Sequence, residues 1–150
     1  MERSVRVERG ESGRRFAVAG DVAATPDAAW DVLVDTERWP DWGPSVTDVR
    51  CADRRIRTGS TGEVQVAGGP WVGFEITTFD DGRATAEADS QTGPPPVRRW
   101  TWSVARIPAT GHRVEARPGG CRVVFEVPLW AAGYVPVCRR ALAEIGPLLE

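Results

Sequence analysis

The sequence contains neither lysine nor asparagine, and all 19 of its basic residues are arginine. The missing lysine excludes Schiff-base chemistry, which needs a side-chain amine. The missing asparagine excludes N-glycosylation. Histidine occurs once. The three cysteines, Cys51, Cys121 and Cys138, are widely spaced and form no CxxC pair. One histidine and dispersed thiols make no recognisable zinc site. The odd set of cysteines reads instead as small buried hydrophobes in a reducing, cytoplasmic compartment. A basic excess is missing too: 21 acidic residues give a formal net charge of -2 and a pI near 5.5. That argues against a nucleic-acid partner. No window approaches the ~18–20 apolar residues of a membrane span. The charged first 15 residues hold no apolar signal core. Gly59-Ser60-Thr61-Gly62 is not the G-x-S-x-G elbow, and neither a Walker motif nor G-x-G-x-x-G occurs, so no cofactor is expected. Scarce Ile, Phe, Tyr and Met, with no Lys or Asn, predict a GC-rich bacterial gene.

What is present describes one domain. The chain has 150 residues, 41% hydrophobic and 27% charged. A chain of this size buries roughly 68–70% of its unfolded surface around a single core. Residues 1–13 are polar and predict a frayed start. From residue 15 to 24, Phe16, Val18, Gly20 and Val22 share one parity, which predicts a first strand. Thr25-Pro26-Asp27 carries an N-cap, a proline at the first helical position and an acid for the helix dipole. A helix over residues 26–34 follows, with Ala29, Trp30, Leu33 and Val34 on one face. Asp35 caps a second short turn carrying Trp39-Pro40-Asp41-Trp42, which reads either as a gate to the cavity or, the favoured reading, as a hydrophobic plug at one end of the sheet.

Six further strands are predicted near residues 46–56, 63–67, 71–79, 99–105, 108–117 and 121–127. A polar excursion over residues 80–98, with Pro94-Pro95-Pro96, interrupts them. After Pro128 the pattern turns helical: Tyr134, Val137, Cys138, Ala141, Leu142, Ile145 and Leu149 form one stripe. Pro136 requires the helix proper to begin near Tyr134 or to kink there. The architecture is α+β: one curved antiparallel sheet of about seven strands, two short helices after the first strand, and one long C-terminal helix. A curved sheet cannot press flat on a single helix, so the space between them is expected to be a cavity.

Parity selects the residues that face it. His112 shares its face with Thr110 and Val114. Trp100, Trp102 and Phe74 supply an aromatic wall, Phe125 lies on the inward face of the last strand, and Tyr134 begins the last helix at the cavity mouth. Trp71 falls on the opposite parity from Phe74. Glu75, Glu115 and Glu126 lie on the outer parity, where pairing with Arg99, Arg113 or Arg122 is expected.

Several segments together resemble the SRPBCC superfamily of START-like, Bet v 1-like helix-grip proteins, in its polyketide cyclase/dehydrase-like branch. They are Asp27-Ala28-Ala29-Trp30-Asp31-Val32-Leu33 with Glu37-Arg38-Trp39-Pro40-Asp41-Trp42, then Ile107-Pro108-Ala109-Thr110-Gly111-His112, and finally Phe125-Glu126-Val127-Pro128 with its long helix. The resemblance implies a helix-grip fold around a hydrophobic cavity, and the fold alone does not decide the activity. Three functions stay open. The first is a carrier of a small hydrophobic ligand, aromatic, polyketide-like or lipidic, held by Phe74, Trp100, Trp102, Thr110, His112, Phe125 and Tyr134. The second is a cyclase or dehydratase in which His112 transfers protons and Thr110 or Tyr134 orients a carbonyl. The third is a regulator whose closed pocket signals to another chain. The sequence does not set the oligomeric state.

Overall fold

Eight segments of alternating apolar and polar residues form strands: β1 (Arg3–Gly10), β2 (Gly13–Val22), β3 (Val46–Cys51), β4 (Thr61–Val66), β5 (Trp71–Asp80), β6 (Arg98–Val104), β7 (Ile107–Arg117) and β8 (Gly120–Pro128). The computed structural model describes residues 3–10, 13–82 and 96–149. All eight strands pair antiparallel in one sheet of order β1-β2-β8-β7-β6-β5-β4-β3. Register shifts interrupt the ladders at Val46/Asp48, Ile76/Thr78 and Thr101/Ser103. Such bulges bend a strand and increase its twist.

The sheet has one strand more than the seven read from the sequence. Residues 1–13 were expected to fray, yet Arg3–Gly10 forms β1, with Val5 opposite Val18 and Val7 opposite Phe16. Its polar positions are held by charge: Arg6 meets Glu8 at 2.9 Å, and Glu8 reaches Arg113 on β7 at 2.8 Å. Long-range pairing of this kind leaves no trace in local hydrophobicity. The polar excursion is shorter at both ends than expected, because Asp80 still belongs to β5 and Arg98 already belongs to β6. Residues 83–95 of it lie outside the described residues.

Local chemistry places the helices. Thr25 accepts from the backbone N–H of Ala28 at 3.1 Å and opens α1 (Pro26–Val34). Asp35 accepts from the N–H of Glu37 and opens a 3-10 turn over Thr36–Arg38, which leads into α2 (Trp39–Trp42). The last carbonyls of α1 have no helical donor of their own. Trp39 and Trp42 supply it: their indole N–H groups donate to Leu33 and Val32 at 2.9 and 3.2 Å. At the other end of the chain, Leu129–Tyr134 forms a 3-10 segment, and α3 (Val135–Leu148) starts one residue after Tyr134. Pro136 therefore sits in the first turn, where its missing N–H costs nothing. No helix among the described residues is long and apolar enough to cross a membrane.

The inner face of the sheet carries the main core. Leu142 and Ile145 of α3, Leu33 of α1, and Val18, Val123 and Phe125 of the sheet are all at most 1% exposed. The outer face has a smaller cluster of Ala17, Ala19 and Val124, surrounded by ion pairs. Trp71 lies in β5 under the Arg50 guanidinium, 3.7 Å from its ring centre.

Candidate functional site

The space beside the C-terminal helix is small, and the larger cavity lies against the 3-10 segment that precedes it, with no α3 residue among the described residues of its wall. An inner chamber of about 40 Å³ lies under α2 and is walled by Trp39, Trp42, Trp100, His112, Phe125 and Cys138, among others. An outer cavity of about 340 Å³ continues from it, with Val64, Val66, Val104, Pro108 and Ala131 on its walls. Ser45, Val46, Trp102, Thr110 and Tyr134 line both and form the partition. The inner chamber has room for one or two waters or one small chemical group. The outer cavity lies at the lower end of the ~300–1,000 Å³ typical of small-molecule sites. Its mouth is marked by exposed apolar side chains, Trp130 at 71% and Ile107 at 53%.

Strand pairing explains the aromatic wall. His112 on β7 lies opposite Trp100 on β6 and Phe125 on β8. The imidazole stacks on the Trp100 indole with centroids 3.8 Å apart, and Trp39 stacks on Trp100 at 5.5 Å. Trp42 stacks on Phe125 at 5.7 Å. The Trp39 and Trp42 rings of the Trp39-Pro40-Asp41-Trp42 segment thus pack onto the sheet and line the chamber.

His112 is 3% exposed and both of its nitrogens are engaged. Nδ1 lies 3.4 Å from the Trp100 carbonyl oxygen, and Nε2 lies 3.0 Å from Thr110 Oγ1. A carbonyl can only accept, so this assignment puts the hydrogen on Nδ1 and leaves Nε2 to accept from the Thr110 hydroxyl. Thr110 Oγ1 in turn accepts from Trp102 Nε1 at 3.1 Å. Burial disfavours the imidazolium and pushes the His112 pKa down to about 3. The Trp100 indole N–H is buried without an acceptor among the described residues.

One hydrogen bond spans the wall shared by the two chambers. Ser45 Oγ and Tyr134 Oη lie 2.5 Å apart, joining the loop after α2 to the end of the 3-10 segment before α3. Burial raises the Tyr134 pKa, and the Ser45 contact offsets only part of that, so the phenol stays neutral. Cys138 is likewise held as a thiol, with its pKa pushed up by burial to about 12.

Six of the seven residues expected around a ligand line the inner chamber: Trp100, Trp102, Thr110, His112, Phe125 and Tyr134. Phe74 is the exception. It packs against Trp39 and Trp102 at 5.3 and 5.7 Å and stands behind the wall rather than on it. Sequence reading missed Ser45 and Trp130. Neither belongs to an apolar stripe, and only the chain path brings them to the mouth.

Charge is concentrated on the other face of the sheet. Glu126, 2% exposed, is held by Arg15, Arg99 and Arg113 at 3.1, 2.7 and 2.7 Å. Burial alone would raise its pKa, but the hydrogen bonds from Arg99 and Arg113 outweigh burial and hold it below the ordinary carboxylate value. Arg113 also meets Glu115 at 2.8 Å, while Arg122 pairs with Asp21. These arginines are occupied by carboxylates of the chain itself.

Residues 14–145 match the family model described as polyketide cyclase/dehydrase and lipid transport. An uncharacterized protein of Mycobacterium tuberculosis is 29% identical over 131 residues, 87% of this chain and 72% of that one. Among solved structures, a Mycobacterium smegmatis protein superposes with a TM-score of 0.60 at 18% identity, covering 97% of this chain and 98% of that one. A STAR-related lipid transfer protein fragment from Xanthomonas axonopodis superposes with a TM-score of 0.61 at 14% identity, covering 98% of each chain. At such identities the structural likeness speaks for the fold alone.

Proposed function

The chain belongs to the polyketide cyclase/dehydrase and lipid transport family of the SRPBCC superfamily, and from that premise we propose that it binds and carries a small hydrophobic molecule without transforming it. The ligand is aromatic, polyketide-like or lipidic. It lies in the outer cavity, with one end against the partition formed by Trp102, Thr110 and Tyr134. The observation that carries this reading is the cavity of about 340 Å³ with valine, proline and tryptophan walls. Burial of apolar surface supplies roughly 25 cal/mol per Å² in such a site.

Cyclase or dehydratase chemistry needs a base with a free lone pair and donors aimed at a developing oxyanion. His112 is the natural candidate, and its Nε2 is occupied by Thr110. A group with a pKa of about 3 is also a weak base. The other polar groups of the lining residues are the Ser45, Thr110 and Tyr134 hydroxyls and the Cys138 thiol, with the Trp102 indole N–H already bonded to Thr110 and the Trp100 indole N–H buried without an acceptor among the described residues. That set suits orientation of a bound molecule better than turnover.

Native mass spectrometry of the purified protein tests the reading. A one-to-one complex with a hydrophobic molecule, released at unchanged mass after incubation, is the expected result. Release of a poly-ketone ligand that has lost water, with the loss abolished in His112→Ala, would replace carriage with catalysis.

A further inference from the structure

The ligand space contains no formal charge. Among the described residues, neither chamber has an arginine, aspartate or glutamate on its walls. The groups there that could ionise are His112, Tyr134 and Cys138, and burial holds each in its neutral form. Arg99 of β6, Arg113 of β7 and Glu126 of β8 stand on the strand parity opposite Trp100, His112 and Phe125, while Arg98, on the inner parity of β6, pairs with Asp27 and lines neither chamber. Arg99 and Arg113 already bind carboxylates of the chain. Arg99 lines an adjoining groove that shares Trp102, Pro108 and Trp130 with the outer cavity, and its guanidinium is held there by Glu126. An ionised carboxylate, sulfonate or phosphate in the outer cavity would lose its hydration and gain no counter-charge.

Polar capacity is gathered at the partition. Ser45 and Tyr134 share one hydrogen bond, so one of their two hydroxyl hydrogens remains to be donated. Thr110 Oγ1 donates to His112 and accepts from Trp102, which leaves it one lone pair. Together these groups have one hydrogen left to donate and several lone pairs left to accept. The single hydrogen to donate matches one alcohol or carbonyl oxygen.

Resting on the carrier reading above, we propose that the ligand class is an uncharged hydrophobic molecule with one hydroxyl or carbonyl oxygen at its inner end, and that anionic amphiphiles are rejected. The site selects by the charge it leaves out. A fatty alcohol, an aromatic ketone or a neutral isoprenoid fits this chemistry, and a free fatty acid above its pKa does not.

Displacement of a neutral fluorophore tests this. The probe is N-phenyl-naphthylamine, and the competitors are lauryl alcohol and laurate, which share one chain length, at pH 8 and below the micelle concentration of laurate. The expected result is saturable probe binding, displacement by the alcohol, and at least about tenfold weaker displacement by the acid. Val66→Arg places a guanidinium on the cavity wall at a half-buried β4 position. It should improve laurate at the expense of the alcohol. Equal displacement by acid and alcohol in the unaltered protein, with no change in Val66→Arg, overturns the neutral-ligand proposal and leaves carriage standing. Failure of both proteins to bind the probe overturns the carrier reading itself, and the ligand class falls with it.

Discussion

The imidazole of His112 lies face to face on the indole of Trp100, 3.8 Å between ring centres and 17° from parallel. This contact seals the only histidine of the chain inside an aromatic layer, with Trp39 on the far side of Trp100. Its protonation is therefore a stability event. The unfolded chain binds a proton on His112 below about pH 6.5, and the folded chain does not until about pH 3. Between those values the unfolded state holds more protons, so the stability is complete above pH 6.5 and falls as the pH drops. The slope is about 1.4 kcal/mol per pH unit, or about 2 kcal/mol lost by pH 5. Urea midpoints at pH 7 and pH 5 measure it. His112→Gln should flatten the difference; an unchanged pH dependence in that variant would assign the effect elsewhere.

Glu126 acts in a lower window. Its carboxylate and that of Glu8 are held below their ordinary pKa by arginines, so their contribution is present above about pH 4.5 and is lost as the pH falls further. Glu126→Gln leaves three guanidinium groups around a neutral amide. A cost of roughly 3–5 kcal/mol is expected, as for other broken buried pairs. Asp31→Asn, which removes the exposed pair with Arg55, should change the melting temperature little. Thermal unfolding of the two variants side by side measures the contrast.

Gly111 exists for Glu126. The two residues pair across β7 and β8, and a Cβ on Gly111 would lie 2.2 Å from Glu126 Oε1. Because three arginines fix that carboxylate, it cannot swing aside freely. Gly111→Ala should destabilise the fold by about 1–3 kcal/mol. Adding Glu126→Gln to it should cost less than the sum of the two single changes, in a double-mutant cycle on chemical denaturation.

The Ser45–Tyr134 bond joins two residues that line both chambers, so its loss is expected to ease passage between them. Tyr134→Phe keeps the ring and removes the hydroxyl. A stability change of about 0.5–1.5 kcal/mol is expected, together with faster probe exchange in stopped-flow fluorescence. Ser45→Ala should reproduce the kinetic effect. Slower exchange in both variants would mean that the bond holds the passage open.

Much of this fold was legible because its determinants are local. Thr25 and Asp35 cap the helical turns that their sequence announces, and the parity of Trp100, His112 and Phe125 places all three on the inner face. Thr110 and His112 are two residues apart on one strand, so even their hydrogen bond follows from alternation. β1 was illegible for the opposite reason. Its pairing with the rest of the sheet is reinforced by Glu8 and Arg113, 105 residues apart, and its own side chains are largely polar. Phe74 shares the inward parity, yet Trp39 and Trp102 cover it, and alternation reports the face of a residue without its depth. The wall shared by the two chambers joins Ser45 to Tyr134 across 89 residues.

Trp130 gives the protein an optical reporter of its own. Of the seven indoles, Trp30, Trp39, Trp42 and Trp100 are buried, Trp102 and Trp71 are half-covered, and Trp130 stands 71% exposed at the cavity mouth. Its emission belongs to the red, solvent-relaxed edge of the spectrum and is open to a soluble quencher such as iodide, while the buried rings emit further to the blue and are shielded. Occupation of the cavity can thus be followed in the unlabelled chain as a loss of the quenchable fraction, with the buried indoles as the internal standard.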